Sequence, residues 1–371
     1  MTGTPAARKI VVKVGTSTLT AGSRQLSSRR MLELVRQIAH LHDQGHRVIL
    51  VTSGAMTAGR EKLGFPELHP ALPVKQMLAS VGQAVLMQRY GELFNLFDMC
   101  VSQVLLTRGD IDHRTGYLNA RDTLLTLLDH RILPIINEND TIATEEIRVG
   151  DNDNLSALVA NLIDADLLIL LTDIEGLYTA DPRSNPDARL IPTVAQIDES
   201  IYALAGGTNS GLGTGGMMTK IQAAHLAGRS GTTTVIAPGA RPNVIAEVVS
   251  GASIGTTFLP PITHLESRKR WLTSQKPQGT LYIDAGAARG LTKNGASLLP
   301  IGVIEVEGEF ERGEPVRVCT EQGASPLAVG LTNYDATEAK KLIRTQSAAI
   351  IEKLGYTWGD EIIHRDNLVL L

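Results

Sequence analysis

Cysteine is nearly absent: Cys100 and Cys319 are the two thiols in 371 residues. That excludes a disulfide-stapled scaffold and a cysteine metal centre, and both are expected as buried free thiols in strand-like segments of a reducing compartment. Aromatic residues make up only 4% of the chain, so the core must be built from Leu, Ile, Val and Ala. The longest apolar run, around "LLILL" (167–171), falls far short of the roughly 20 residues that span a bilayer. The opening "MTGTPAARKIVVKVG" passes from a polar leader into a strand pattern with no signal-peptide core. A cytoplasmic protein without a membrane partner is expected. Excess charge is also scarce, since the formal net charge is only −4. Residues 278–371 carry nine Lys/Arg against thirteen Asp/Glu and so hold that whole excess. A strongly basic nucleic-acid footprint is missing there.

The chain is long enough for more than one domain. From residue 9 to about 260, short runs apolar on both faces ("KIVVKV", "RVILVT", "ILPIIN", "DLLILLT", "TTTVIAP") alternate with amphipathic segments. One of these, "SSRRMLELVRQIAHLHDQG", has a Ser N-cap and Gly45 as its stop. This pattern predicts an α/β fold: a mainly parallel open sheet sandwiched by helices. "TIATEEIRVGDND" (141–153) alternates at period two and reads as a hairpin flap. Residues 261–277, proline-bearing and basic, read as a linker. Beyond them, short strands at close spacing with glycine turns predict a small β-rich domain over 278–356, with one helix at 335–355. Residues 357–371 are left as a C-terminal tail.

Ligands of open parallel sheets bind beyond the carboxyl ends of the strands. The unusual polar residues cluster there: Lys13 with Gly15 to Ser17, Thr52 and Ser53, Asn137 to Asp140, and Thr172 with Asp173. Each cluster alone could be an ordinary turn or cap. Lys13 is different, because a lysine inside a buried strand needs an anion. "GLGTGGMMTK" (211–220) adds a glycine loop that opens a helix, a setting for phosphate. It is not a Walker loop, since Lys220 lies four residues past Gly216 and Ile221 follows it; nor does it come off a buried strand as a dinucleotide turn would. None of the nine histidines lies in these segments, and neither does a cysteine. Two lysines, a glycine loop and no base suit phosphoryl transfer to an acceptor that needs no deprotonation, such as a carboxylate. Lys13 and Lys220 would neutralise the transferring group, with Asp153 between them. Mg²⁺ would bridge nucleotide phosphates with few protein ligands, and no protein metal-ligand set is expected.

The segments "VKVGTSTLT", "VTSGA", "NENDTIATEEIRVGDNDNLSALVA", "LLTDIEGLYTADPR" and "SGLGTGGMMTK" resemble the motif series of the bacterial glutamate 5-kinase family, within the amino acid kinase superfamily. "IDAGAARGL" and "GASLLPIGVIEVEGEFERGEPVRV" resemble the PUA domain that follows in that family. The resemblance covers residues 9 to about 365. It implies ATP-dependent phosphorylation of the γ-carboxylate of L-glutamate, the first step of proline synthesis. Carried over position by position, Lys13, Lys220 and Asp153 would be catalytic. Ser53, Asn137, Asp140 and Asn152 would bind glutamate, with Asp140 facing its α-ammonium. Lys13, Thr172, Asp173 and the run Thr214, Gly215, Gly216, Met217, Met218, Thr219 and Lys220 would hold ATP. Met218 departs from the family pattern, which has a small residue there, and is expected to alter loop packing or the edge of the nucleotide pocket. Feedback inhibition by proline, a homo-oligomer and a glutamyl phosphate reductase as partner are further implications. Sister kinases acting on aspartate, N-acetylglutamate, carbamate or UMP, and an RNA-binding role through the PUA-like domain, are the alternatives.

Overall fold

Strand β1 (Lys9–Val14) shows how the fold builds its site. Successive strand residues face opposite sides of a sheet. Ile10, Val12 and Val14 therefore enter one apolar core, while Val11 enters the other. Lys13 shares the face of Val11, at the carboxyl end of the strand.

The computed structural model describes residues 7–69, 71–143, 151–205, 215–320 and 325–371. The chain divides into two compact units, Met1–His264 and Leu265–Leu371. In the first, β1 is followed by α1 (Thr16–Thr20), α2 (Ser28–Asp43), β2 (Arg47–Thr52), α3 (Ala55–Lys62) and α4 (Leu72–Asn95). Next come β3 (Val101–Leu106), α5 (Arg108–Asp112), α6 (Arg114–Asp129), β4 (Leu133–Glu138), α7 (Asp151–Ile163) and β5 (Leu167–Thr172). The unit closes with β6 (Thr193–Val194), α8 (Glu199–Leu204), α9 (Gly215–Gly228), β7 (Thr233–Pro238), α10 (Val244–Val249) and β8 (Thr256–Phe258).

These strands form one sheet in the order β3-β4-β2-β1-β5-β7-β8-β6, parallel from β3 to β7, with β8 antiparallel to β7. Helices α2, α3, α4 and α10 cover one face and α6, α7 and α9 the other. Each fully buried Leu, Ile or Val contributes about 1.5–3 kcal/mol, so the two aliphatic cores supply what the scarce aromatics do not. Local signals agree with this packing. Ser27 Oγ accepts from the Arg30 amide to cap α2, and Gly45 leaves that helix at φ +86°. Gly54 turns β2 into α3 at φ +105°, a conformation a side chain resists, and a Cβ there would also press on Leu26 at 3.3 Å.

The second unit begins within α11 (His264–Ser274) and continues through β9 (Gly279–Ile283), α12 (Ala285–Asn294), β10 (Val303–Gly308), β11 (Pro315–Cys319) and β12 (Ala328–Leu331). It ends with α13 (Ala336–Lys341), α14 (Ile350–Leu354) and β13 (Leu368–Leu370). Its sheet runs β10-β9-β11-β12-β13 around a separate apolar core.

Several expectations change. The segment expected as a linker carries helix α11. The single helix expected over 335–355 is broken, because Arg344 turns left-handed at φ +58° and its amide leaves the helix to bond the Val303 carbonyl on β10. The tail is not separate, since β13 pairs with β12. Cys100 is exposed, lying just before the edge strand β3, whereas Cys319 is buried in β11. Most of the expected flap (residues 144–150) and the first four residues of the glycine loop (211–214, Thr214 included), with 206–210 before them, lie outside the described residues.

Candidate active site

The carboxyl ends of β1, β2, β4 and β5 open into a cavity of about 1080 Å³. At its centre Lys13 meets its anion. Asp153, on α7, lies 2.6 Å from Lys13 Nζ through Oδ1 and 3.1 Å from Lys220 Nζ through Oδ2. All three side chains are buried: 6% of Lys13, 11% of Lys220 and 1% of Asp153 remain exposed. The topology explains the meeting. Lys13 points to the face covered by α7 and α9, and these two helices pack on each other to deliver Asp153 and Lys220 from opposite sides. Thr219 Oγ also donates to Asp153 Oδ2 at 2.8 Å, and Lys220 Nζ donates to the Gly216 carbonyl at 3.0 Å.

The electrostatics follow from one carboxylate serving two ammoniums. Burial pushes the Lys13 ammonium below the usual lysine range and Lys220 pushes it further, against the opposing pull of Asp153. Burial works to raise Asp153, but Lys13, Lys220 and the Thr219 hydroxyl outweigh it and hold the carboxyl below its ordinary range. The trio carries one net positive charge, an arrangement that calls for a further anion. Gly15 leaves room for it, since a Cβ there would stand 3.5 Å from Lys13 Nζ.

On the β2 and β4 side, a hydrogen-bonded chain joins three of the expected residues, Ser53, Asn137 and Asn152, to Gln83 and Gln103. Asn152 Nδ2 lies 2.8 Å from Ser53 Oγ and 3.0 Å from Asn137 Oδ1. Asn137 Nδ2 in turn donates to Gln83 Oε1 on α4 at 2.9 Å, and Gln83 to Gln103 on β3 at 3.1 Å. Asp140 lines the same part of the cavity. On the β5 side, Thr172 is buried and donates to Asp173 at 3.0 Å, while Asp173 is exposed at the cavity wall. Gly216, Met217, Thr219 and Lys220 line the cavity at the start of α9, and Gly215 is the first residue of that helix. Met218 does not join them: it packs half-buried against the α7–α9 core. Met217 packs against the same core, and of the two methionines it is the one that lines the cavity among the described residues. Among the described residues no cluster of three His, Cys, Asp or Glu could hold a metal unaided.

Other wall residues carry no sequence signal as single positions, apart from residues 176–183, which lie in the segment "LLTDIEGLYTADPR". Met56, Thr57 and Arg60 of α3 and Lys75 and Leu78 of α4 line the cavity, as do residues 176–183 and 203–205. The spacing 56, 57, 60 is one face of a helix, and that period read straight after "VTSG" could have found it. Gln83 could not have been found from the sequence, because it acts through Asn137.

Residues 8–238 match the model of the Amino acid kinase family, and residues 279–354 match that of the PUA domain. The glutamate 5-kinase of Herpetosiphon aurantiacus is 54% identical over 362 residues, which is 97% of this chain and 98% of that protein. Those of Photobacterium profundum and Haemophilus influenzae are 53% and 52% identical, over 99% and 98% of this chain and 97% and 99% of their own lengths.

Proposed function

The chain belongs to the amino acid kinase family, in its glutamate 5-kinase branch, and on that footing we propose that it phosphorylates the γ-carboxylate of L-glutamate with ATP, opening proline synthesis. A γ-carboxylate oxygen attacks the γ-phosphorus of ATP, the bond from that phosphorus to the β,γ-bridging oxygen breaks, and ADP leaves with L-glutamyl 5-phosphate formed. No proton moves, in keeping with a cavity that no histidine lines among the described residues. Catalysis rests on position and charge. Lys13 and Lys220 bind the oxygens of the phosphoryl group in flight, and Asp153 fixes both ammoniums before substrates arrive, so little reorganisation is needed at the transition state. Ser53, Asn137 and Asn152 hold the acceptor, and Asp140 takes its ammonium. Thr172, Asp173 and the start of α9 hold the nucleotide. Mg²⁺, carried by the nucleotide phosphates, supplies charge neutralisation when bound.

The observation that supports this reading is the buried Lys13–Asp153–Lys220 trio with its surplus positive charge. Proline feedback inhibition, a homo-oligomer, a glutamyl phosphate reductase that takes the labile acyl phosphate, and a cytoplasmic setting complete the proposal; no helix among the described residues is long and apolar enough to cross a membrane. The test is to incubate the protein with ATP, Mg²⁺, hydroxylamine and, separately, L-glutamate, L-aspartate and N-acetyl-L-glutamate. Hydroxamate is expected with L-glutamate alone, reduced by about 10²–10³-fold in Lys220→Ala. Hydroxamate only with another acid would overturn the acceptor, and none with any acid would overturn the reaction.

A further inference from the structure

The sheet order divides the cavity. Lys13 ends the central strand β1; β2 and β4 lie to one side and β5 and β7 to the other. The lysines that would face phosphate stand at the dividing line. Two more cations, Arg60 and Lys75, line the cavity from the elements that follow β2, on the side of Asn137 and Asp140 and away from β5. Unlike Lys13 and Lys220, they make no ion pair or side-chain hydrogen bond among the described residues.

Their placement is built rather than incidental. Helices α3 and α4 touch backbone to backbone: a Cβ on Gly59 would lie 2.0 Å from the Leu78 carbonyl oxygen, and one on Gly82 1.7 Å from that of Ala55. Arg60 follows Gly59 directly, and Lys75 lies one turn before Leu78, so the contact places both residues on the cavity wall. Gln76, beside Lys75, donates to the Ala143 carbonyl at 3.1 Å and ties the start of α4 to the loop that carries Asp140.

We infer that Lys75, seconded by Arg60, receives the α-carboxylate of the acceptor, so that the site demands a free amino acid with both charges on its α-carbon. The inference rests on the reaction proposed above. Asp140 takes the ammonium, Lys75 the α-carboxylate, and the γ-carboxylate is left pointing toward Lys13. Met56 and Leu78, which line the same cavity, suit the methylenes.

The test compares L-glutamate with L-isoglutamine, whose α-carboxylate is a neutral carboxamide, in the hydroxamate assay on wild-type protein, Lys75→Met, Lys75→Arg and Arg60→Met. In Lys75→Met the KM for L-glutamate is expected to rise on the order of 10- to 100-fold, the worth of a charge-assisted hydrogen bond, with the KM for ATP unchanged. Its preference for L-glutamate over L-isoglutamine is expected to narrow by a similar factor. Lys75→Arg is expected to keep the preference, and Arg60→Met to weaken it less. Unaltered KM and preference in both methionine variants, or an equal rise in the KM of ATP, would overturn the inference and leave the reaction standing. Wild-type protein that forms no glutamyl hydroxamate would overturn the reaction and the inference together.

Discussion

Asp153→Asn removes one negative charge and almost no volume from the centre of the site. Asp153 stands 2.6 and 3.1 Å from two ammoniums, pairings of about 6 and 5 kcal/mol each at an effective dielectric of about 20. Most of that offsets desolvation of three buried groups. The net loss on removing one partner of such a cluster is about 3–5 kcal/mol, because two ammoniums are left facing each other without an anion. Part returns if one lysine sheds its proton, which Lys13 does more readily than an ordinary lysine. The assay is urea unfolding of the ligand-free protein followed by far-UV circular dichroism. A clear fall in midpoint is expected at neutral pH. The deficit should shrink in acid: Asp153 titrates below its ordinary value of 3.8, so its stabilisation is complete above that value and is lost as the pH falls through the lower folded one. Adding Lys13→Met should return about 2 kcal/mol or more of the loss as coupling. An Asp153→Asn protein that unfolds at the wild-type midpoint, or a double variant whose losses simply add, would refute the reasoning.

Three other outcomes are expected. Lys13 titrates below 10.5, so kcat/KM should fall with an alkaline limb below that pH as its charge is lost. Stability should rise across the same window, because the unfolded chain there binds the proton that the native Lys13 has released; parallel falls in both would contradict the assignment. Gly82→Ala places a methyl 1.7 Å from the Ala55 carbonyl and should cost about 3 kcal/mol or more by urea unfolding, through the α3–α4 contact. Met218→Ala should cost about 1–2 kcal/mol of stability, as a half-buried core thioether, with the KM for ATP held within about twofold; a large change in that KM at unchanged stability would return Met218 to the nucleotide pocket.

What the sequence disclosed, and what it hid, divides along physical lines. The central strands are apolar on both faces, so runs such as "IVVKV" and "LLILL" declared themselves, and the charge inside the first exposed Lys13 as an exception with a cause. The same logic paired it with an acid, and Asp153 stands between the two lysines. Legibility faded where tertiary contacts override local pattern. Residues 335–355 have helical spacing, but an amide-to-carbonyl bond from Arg344 to Val303 breaks the helix. The stretch 264–274 has the charge of a solvated linker and is a helix nonetheless. Lys75 and Arg60 look like any surface cations until two glycines bring α3 and α4 together and turn one face of each toward the cavity.

The most direct measurement of the central claim follows one oxygen. L-Glutamate labelled with ¹⁸O in its γ-carboxylate is turned over with ATP and Mg²⁺ in hydroxylamine, and the released phosphate is examined by ³¹P NMR. If the carboxylate attacks phosphorus, hydroxylamine then displaces phosphate at the acyl carbon, and each phosphate should carry one ¹⁸O through the former bridging position. Phosphate free of label would mean that water, and not the γ-carboxylate, had taken the phosphoryl group.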